Sequence, residues 1–210
     1  MRHQDALLTR RLFIASALPG AAVTLASCAG APGAAPAFSW NTKPATPPHL
    51  VSCQTREQPG TLVVDATNHV LYLVQPGGQA IQYDVGVGAE GYAWSGVAAI
   101  HEKQEWPDWY PTPEYLARKP EVRAEMTQLP SGIGMKGGPD NPLGARAMYL
   151  WHGQKDTLYR IHGTNEPNTV GTDVSAGCIR LRNEDVVDLY DRTPIGTKVV
   201  VLPTRSSHSV

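Results

Sequence analysis

The chain has almost no net charge. Its 18 Lys and Arg stand against 19 Asp and Glu, leaving -1 at neutral pH over 210 residues. A nucleic-acid partner calls for a basic face or stripe, so this balance argues against one. It also gives no broad electrostatic attraction to a membrane. A membrane-spanning run is missing too. The apolar stretch Leu12 to Leu25 is interrupted by Pro19 and Gly20, and it falls short of the about 20 apolar residues a transmembrane helix needs. Cysteine is scarce. There are three, Cys28, Cys53 and Cys178, and each asks for its own account. What is plentiful is Pro (18) and Gly (20), which imply many turns and a loop-rich, strand-based fold. An apolar fraction of 41% supplies one ordinary core.

Chemistry concentrates in one short segment. Tyr159-Arg160-Ile161-His162-Gly163 is followed by Ser175-Ala176-Gly177-Cys178-Ile179-Arg180 and Asn183. A thiolate is a strong nucleophile, but a free thiol is mostly protonated at neutral pH. A nearby imidazole takes the proton and leaves a thiolate–imidazolium pair. Arg180 adds a fixed positive charge that favours the thiolate and can hold an anionic substrate. Gly177 permits a tight turn, so that the N–H groups of Gly177 and Cys178 point at a developing oxyanion. Together these residues spell acyl transfer through a thioester. The bland reading is a small buried Cys and a rim His.

The wording of the segment decides between them. His-Gly-Thr, then Ser-x-Gly-Cys-Ile-Arg-Leu and an Asn-Glu-Asp helix start, resembles the L,D-transpeptidase catalytic (YkuD-type) family. The resemblance extends to Pro139-Asp140-Asn141-Pro142-Leu143-Gly144, Thr61–Asp65 and Leu71–Val74, and covers about Thr61 to about Leu202. It implies a mainly β fold, a sandwich or mixed sheet with one or two short helices. It implies that Cys178 attacks the carbonyl of the third residue of a peptidoglycan stem tetrapeptide and releases D-Ala. An amine then takes the acyl group, with His162 as base and Arg180 orienting the substrate or the cysteine loop. The amine is on another stem, a protein of the envelope or a free D-amino acid; water is the fourth acceptor. The Gly163 carbonyl is expected to orient the imidazole in place of a triad carboxylate; Asp173 is the acid nearest in sequence. Ser175, Tyr149 and Trp109 are candidate substrate contacts. No cofactor or metal is implied. Many family members carry a second His before Gly-Cys; Ala176 stands there in this chain.

Two rivals are open. A sortase-like cysteine transpeptidase also orders His, Cys and Arg along a β-rich chain. A non-catalytic wall-binding or zinc-binding module would use His152, His162 and Cys178, three ligands on irregular spacing.

The N-terminus reads as an address. Thr9-Arg10-Arg11-Leu12-Phe13-Ile14 resembles a twin-arginine export signal. Leu25-Ala26-Ser27-Cys28 resembles a lipobox, with Cys28 lipidated and the protein held at a membrane of the periplasm or cell envelope; ordinary cleavage after Ala35-Pro36-Ala37 is the alternative. Cys53 is then a spare thiol, expected to stay apart from Cys178. The divisions are 1–28 export signal with lipobox, 29–58 Ala/Pro-rich tether, 59–203 catalytic domain and 204–210 disordered tail.

Within the domain, strands are expected at Thr61–Asp65, Val70–Val74, Ala80–Val87, Ala147–Trp151, Thr157–Ile161 and Lys198–Leu202. Ala98 to Asn141 reads as an insertion, either a surface excursion or a flap over the site. It holds a helix from Pro113 to Met126, interrupted at Pro120 and started by Thr112. Asn183 is expected to cap a second helix.

The lipobox reading has a direct test. Cys28→Ala is expected to move the exported protein from the membrane fraction to the soluble one. Wild-type protein already soluble after export overturns it.

Overall fold

The runs Leu62-Val63-Val64 and Val70-Leu71-Tyr72-Leu73-Val74 are rich in β-branched and aromatic residues, which pack well on a pleated surface. Both are strands in the computed structural model, which describes residues 46–89 and 94–204. The export signal, Cys28, residues 29–45 of the tether and residues 205–210 of the tail lie outside the described residues.

The strands are β1 (His49–Ser52), β2 (Leu62–Asp65), β3 (Val70–Gln75), β4 (Gln79–Asp84), β5 (Val87–Gly88), β6 (Gly96–Glu105), β7 (Thr127–Leu129), β8 (Gly132–Gly134), β9 (Arg146–His152), β10 (Lys155–His162), β11 (Asp173–Ser175), β12 (Ile179–Arg180) and β13 (Lys198–Val201). Helices α1 (Pro113–Arg118) and α2 (Asn183–Arg192) join them, with short 3-10 turns at Pro120–Glu125 and Pro167–Thr169. Nine strands form one mixed sheet in the order β1-β4-β3-β2-β13-β6-β9-β10-β12. Two joins are parallel, β2 with β13 and β10 with β12. The fold is thus mainly β with short helices.

The sheet turns back on itself. Just past β4, near one end of the strand order, Gly86 exchanges both backbone hydrogen bonds with Arg180 of β12 at the other end, each 2.8 Å. Between the two halves lies the core. Leu62, Val64, Leu71, Val85, Ile100, Met148, Leu150, Ile161, Val199 and, from α2, Val186 and Leu189 all sit at 1% exposure or less. Tyr83, equally buried, donates from its hydroxyl to Asp188 Oδ2 of α2 at 2.7 Å.

Several elements differ from expectation. Part of the stretch read as tether is ordered: β1 pairs antiparallel with β4, and Cys53 N–H donates to Gly78 O. Its Pro-rich flanks hid a short edge strand. Ala98–Glu105 belongs to the central sheet rather than to the insertion. The charged run His101-Glu102-Lys103-Gln104-Glu105 masks it, because Lys103 turns inward and donates to the Tyr190 and Thr193 carbonyls at the end of α2, 2.6 and 2.7 Å away. That is where a helix best receives a cation. Asn183 is not the cap of α2; Arg182 occupies that position and Asn183 is the first helical residue. The helix of the insertion does start as expected, with Thr112 Oγ1 accepting from Tyr115 N–H, and it breaks before Pro120.

These contacts rank two substitutions. Leu150→Ala, which hollows the core, is expected to cost about 3 kcal/mol. Tyr83→Phe, which removes one hydrogen bond while Arg192 still holds Asp188, is expected to cost about 1 kcal/mol. Urea unfolding measures both; a reversed order overturns the ranking.

Candidate active site

β10 and β12 run parallel, with Ile161 opposite Ile179 and His162 opposite Arg180. Side chains alternate faces along a strand. Ile161 and Ile179 therefore enter the core together, and His162 and Arg180 share the other face. One more step of the alternation adds Arg160 and Cys178 to that face. β9 continues the row with Tyr149 beside Arg160 and Ala147 beside His162. β6 supplies Glu102 and Gln104 next to these.

The turn before Cys178 is built by its neighbours. Gly177 has φ 114°, a conformation that glycine adopts at no steric cost. Ser175 Oγ accepts from Gly177 N–H at 3.1 Å and donates to Cys178 O at 2.6 Å. Ser175 is thus a buried tie across the turn rather than a substrate contact, and the Gly177 N–H expected in an oxyanion hole is already engaged. Of the two expected donors, the Cys178 N–H remains. Gly163 N–H is bonded to Arg146 O.

His162 is 5% exposed. Its Nδ1 lies 2.6 Å from Gly163 O. A carbonyl only accepts, so Nδ1 carries the proton and Nε2 holds the lone pair. Burial lowers the imidazole to about 4, with the Arg180 and Arg160 charges adding to the effect against the Gly163 and Leu143 carbonyls. Burial pushes the Cys178 thiol up; the Arg160 backbone N–H and the two guanidiniums act in the other direction. Both shifts favour the neutral thiol and imidazole over the thiolate–imidazolium pair at rest. Asp173 does not orient His162; its Oδ1 lies 2.9 Å from His69 Nε2.

Arg180 is 9% exposed. Its Nη2 donates to Thr169 Oγ1 at 2.8 Å and its Nη1 lies 3.5 Å from Glu166. Its guanidinium braces the turn beside the site. Tyr149 donates to Gln104 Oε1 at 3.1 Å and lies under the Arg160 guanidinium, 4.4 Å from ring centre to Cζ. Trp109 works inside the insertion, exchanging backbone bonds with Met135 and meeting Tyr115 edge-on. His152 stands at the far end of β9 with Nδ1 2.9 Å from Val97 O. Among the described residues no three metal-ligating side chains come together, so the zinc set is not assembled. Cys53 and Cys178 are both free thiols.

The sequence does not show the roles of two residues it names. Asn183 Oδ1 accepts from Ala145 N–H at 2.9 Å and Thr164 N–H at 3.3 Å, locking the segments on either side of His162. It sits so close that a Cβ at Gly163 would run into it. Arg160 was visible as the residue two before His162, and a strand's period of two was the signal that placed it on the same face.

Comparison with known proteins gives consistent matches. The model of the YkuD family, the L,D-transpeptidase catalytic domain, matches residues 59–201. A probable L,D-transpeptidase of Escherichia coli, ErfK/SrfK, is 38% identical over 67% of this chain and 43% of its own length. The chain therefore matches less than half of that relative. A Fuscovulum blasticum open reading frame of the ATP synthase region, provisionally assigned as an L,D-transpeptidase, is 36% identical over 86% of this chain and 94% of its own. A solved structure from Brucella melitensis, described as a probable carnitine operon oxidoreductase, is 46% identical with a TM-score of 0.51, covering 79% of this chain and 99% of that one.

The buried imidazole carries a pH signature. An unfolded His titrates near 6.5, the folded one at about 4. Between those values the unfolded chain binds more protons, so stability rises with pH. Asp156 and Asp188, held below the usual carboxylate range by Arg160 and Arg192, lose their contributions only at lower pH. Wild type is expected to lose stability from pH 7 to pH 5 in urea melts, and His162→Gln to lose distinctly less. Equal slopes overturn the neutral imidazole.

Proposed function

The chain belongs to the L,D-transpeptidase catalytic domain family, and from that premise we propose that it is a cysteine peptidoglycan L,D-transpeptidase. The observation that carries the reading is the parallel register of β10 and β12. It puts His162 opposite Arg180, two residues past Cys178, with the imidazole Nδ1 at Gly163 O, and this supports a shared face for Cys178 and His162 with Nε2 as the atom that takes the proton.

The steps follow from that arrangement. Cys178 Sγ attacks the carbonyl carbon of the third residue in a stem tetrapeptide while its proton passes to His162 Nε2. Because both groups are neutral at rest, proton transfer accompanies attack. The tetrahedral oxyanion takes the Cys178 N–H. Collapse breaks the amide C–N bond, His162 returns the proton to the departing D-Ala amine, and a thioester remains. An amine then attacks the thioester, losing its proton to His162, which gives it back to the sulfur as the C–S bond breaks. Another stem or an envelope-protein lysine is the acceptor class proposed. Export and anchoring through Cys28 belong to the same reading, since the substrate lies in the cell envelope.

The name of the Brucella relative suggests another class, oxidoreductases. Gly86-Val87-Gly88-Ala89-Glu90-Gly91 has the glycine spacing of a dinucleotide fingerprint, which must open a helix after a strand. Here Gly86 pairs with Arg180, and Gly88 lies in β5 against β11. That setting lends the oxidoreductase reading no support. The sortase alternative is disfavoured by Cys178 preceding β12, which leads through Leu181 into α2.

Incubation with tetrapeptide muropeptides and mass spectrometry of the products tests the proposal. Wild type is expected to release D-Ala and form a Cys178 acyl-enzyme, Cys178→Ser to do neither, and His162→Ala to turn over about two to four powers of ten more slowly. A carbapenem, whose strained ring opens to a thiolate, is expected to label Cys178. Turnover undiminished in Cys178→Ser, or label at Cys53 instead, overturns the mechanism.

A further inference from the structure

Arg160 has no part in the mechanism above, yet it is the most constrained charge on the catalytic face. Asp156 grips its guanidinium with two bonds, Nη1 to Oδ1 at 2.7 Å and Nη2 to Oδ2 at 2.8 Å. The Tyr159 carbonyl accepts a third from Nη1 at 3.0 Å. The Tyr149 ring lies beneath it at 4.4 Å, and the side chain is 16% exposed. Such a planar fork, gripped on one edge and stacked on one face, holds a single orientation. The register of Ile161 with Ile179 and His162 with Arg180 puts residue 160 next in line toward residue 178, and the Arg160 backbone N–H acts with its charge to favour the ionised Cys178 thiol.

We propose that Arg160 is a positioning residue whose clamped guanidinium and backbone N–H hold the ionised sulfur of Cys178. The inference rests on Cys178 being the nucleophile. Arg160 of β10 and Arg180 of β12 act on the sulfur, and His162 shares the sheet face of Arg180. Around these stand Tyr149 of β9, Glu102 of β6, Asp156 before the β10 bulge, Glu166 in the following loop and Tyr115 of α1. His162 is neutral above pH about 4. Both guanidiniums carry a carboxylate partner, Arg180 with Glu166 at 3.5 Å and Arg160 with Asp156 at 2.7 Å. Arg180 also directs its Nη2 to Thr169, whereas Arg160 adds its backbone N–H to its charge in favouring the ionised sulfur.

The competing account makes the Asp156–Arg160 pair a staple for the β10 bulge, since Asp156 Oδ1 also accepts from the N–H of Leu158, which has φ 63°. A staple affects stability; it does not set the ionisation of a thiol across the strand. The full chain is alkylated with iodoacetamide from pH 5 to pH 10, and label at Cys178 is followed by peptide mass spectrometry, with urea melts as a control for folding. In Arg160→Gln the apparent thiol pKa is expected to rise by about one unit, slowing labelling at pH 7 about tenfold. Arg160→Lys, which keeps the charge without the fork, is expected to restore most of the rate. An unchanged pH profile in folded Arg160→Gln, or no recovery in Arg160→Lys, overturns the proposal. A wild-type Cys178 that resists alkylation throughout overturns the reading of the nucleophile itself, and this inference with it.

Discussion

Two residue pairs of parallel backbone register, Ile161 with Ile179 and His162 with Arg180, are what the catalytic face depends on. In a strand a slip of one residue moves every side chain to the opposite face. Here such a slip would bury a thiol and a guanidinium among Met148, Leu150 and Leu189 and expose two isoleucines. The apolar members of the register therefore enforce the polar ones. The closing bridge from Gly86 to Arg180 adds backbone bonds on the outer side of β12, so that this two-residue strand is held on both edges. A short strand with so few bonds of its own is otherwise easily displaced.

Holding the pair this way has an electrostatic consequence. Burial favours the neutral form of both the thiol and the imidazole. A resting ion pair would gain Coulomb attraction but lose more solvation. The proton is therefore best moved as the carbonyl carbon bonds to sulfur, when the charge spreads onto the oxyanion and its donors. The fixed guanidiniums act on the same balance. They penalise an imidazolium and favour a thiolate, so they steer the sulfur toward ionisation without holding His162 charged. A base whose proton is easily returned suits both halves of an acyl transfer, since the same imidazole must release it to the departing amine.

The sequence was most readable where local pattern and tertiary role coincide. β2, β3, β9 and β10 alternate or run apolar as strands do, and Thr112-Pro113 marks a helix start by the chemistry of capping. Reading failed where distant partners decide. β6 looks like solvent-facing chain through His101–Glu105 until α2 supplies carbonyls for Lys103. Asn183 has the composition of a cap, but its amide oxygen finds two N–H donors from chain segments 19 and 38 residues away. The Gly177 N–H was assigned to an oxyanion because a glycine turn before a nucleophile offers one. Ser175, two residues earlier, competes for it locally, a kind of side chain-to-backbone bond that serine forms readily.

Asn183 also explains how an insertion of some forty residues between β6 and β9 is made compatible with a tightly set site. Its Oδ1 gathers Ala145, where the insertion rejoins the sheet, and Thr164, just past His162. Asn141, 1% exposed, does the same one step upstream. Its amide donates to the Met135 and Lys136 carbonyls, and its oxygen accepts from Leu143 N–H. Two amides, Asn141 buried and Asn183 half-buried, thus convert a glycine- and proline-rich loop into a fixed wall leading up to the imidazole. Polar groups at such depth are costly unless fully bonded. Their bonding ties the position of His162 to the ordering of the insertion, which makes the insertion a component of the site.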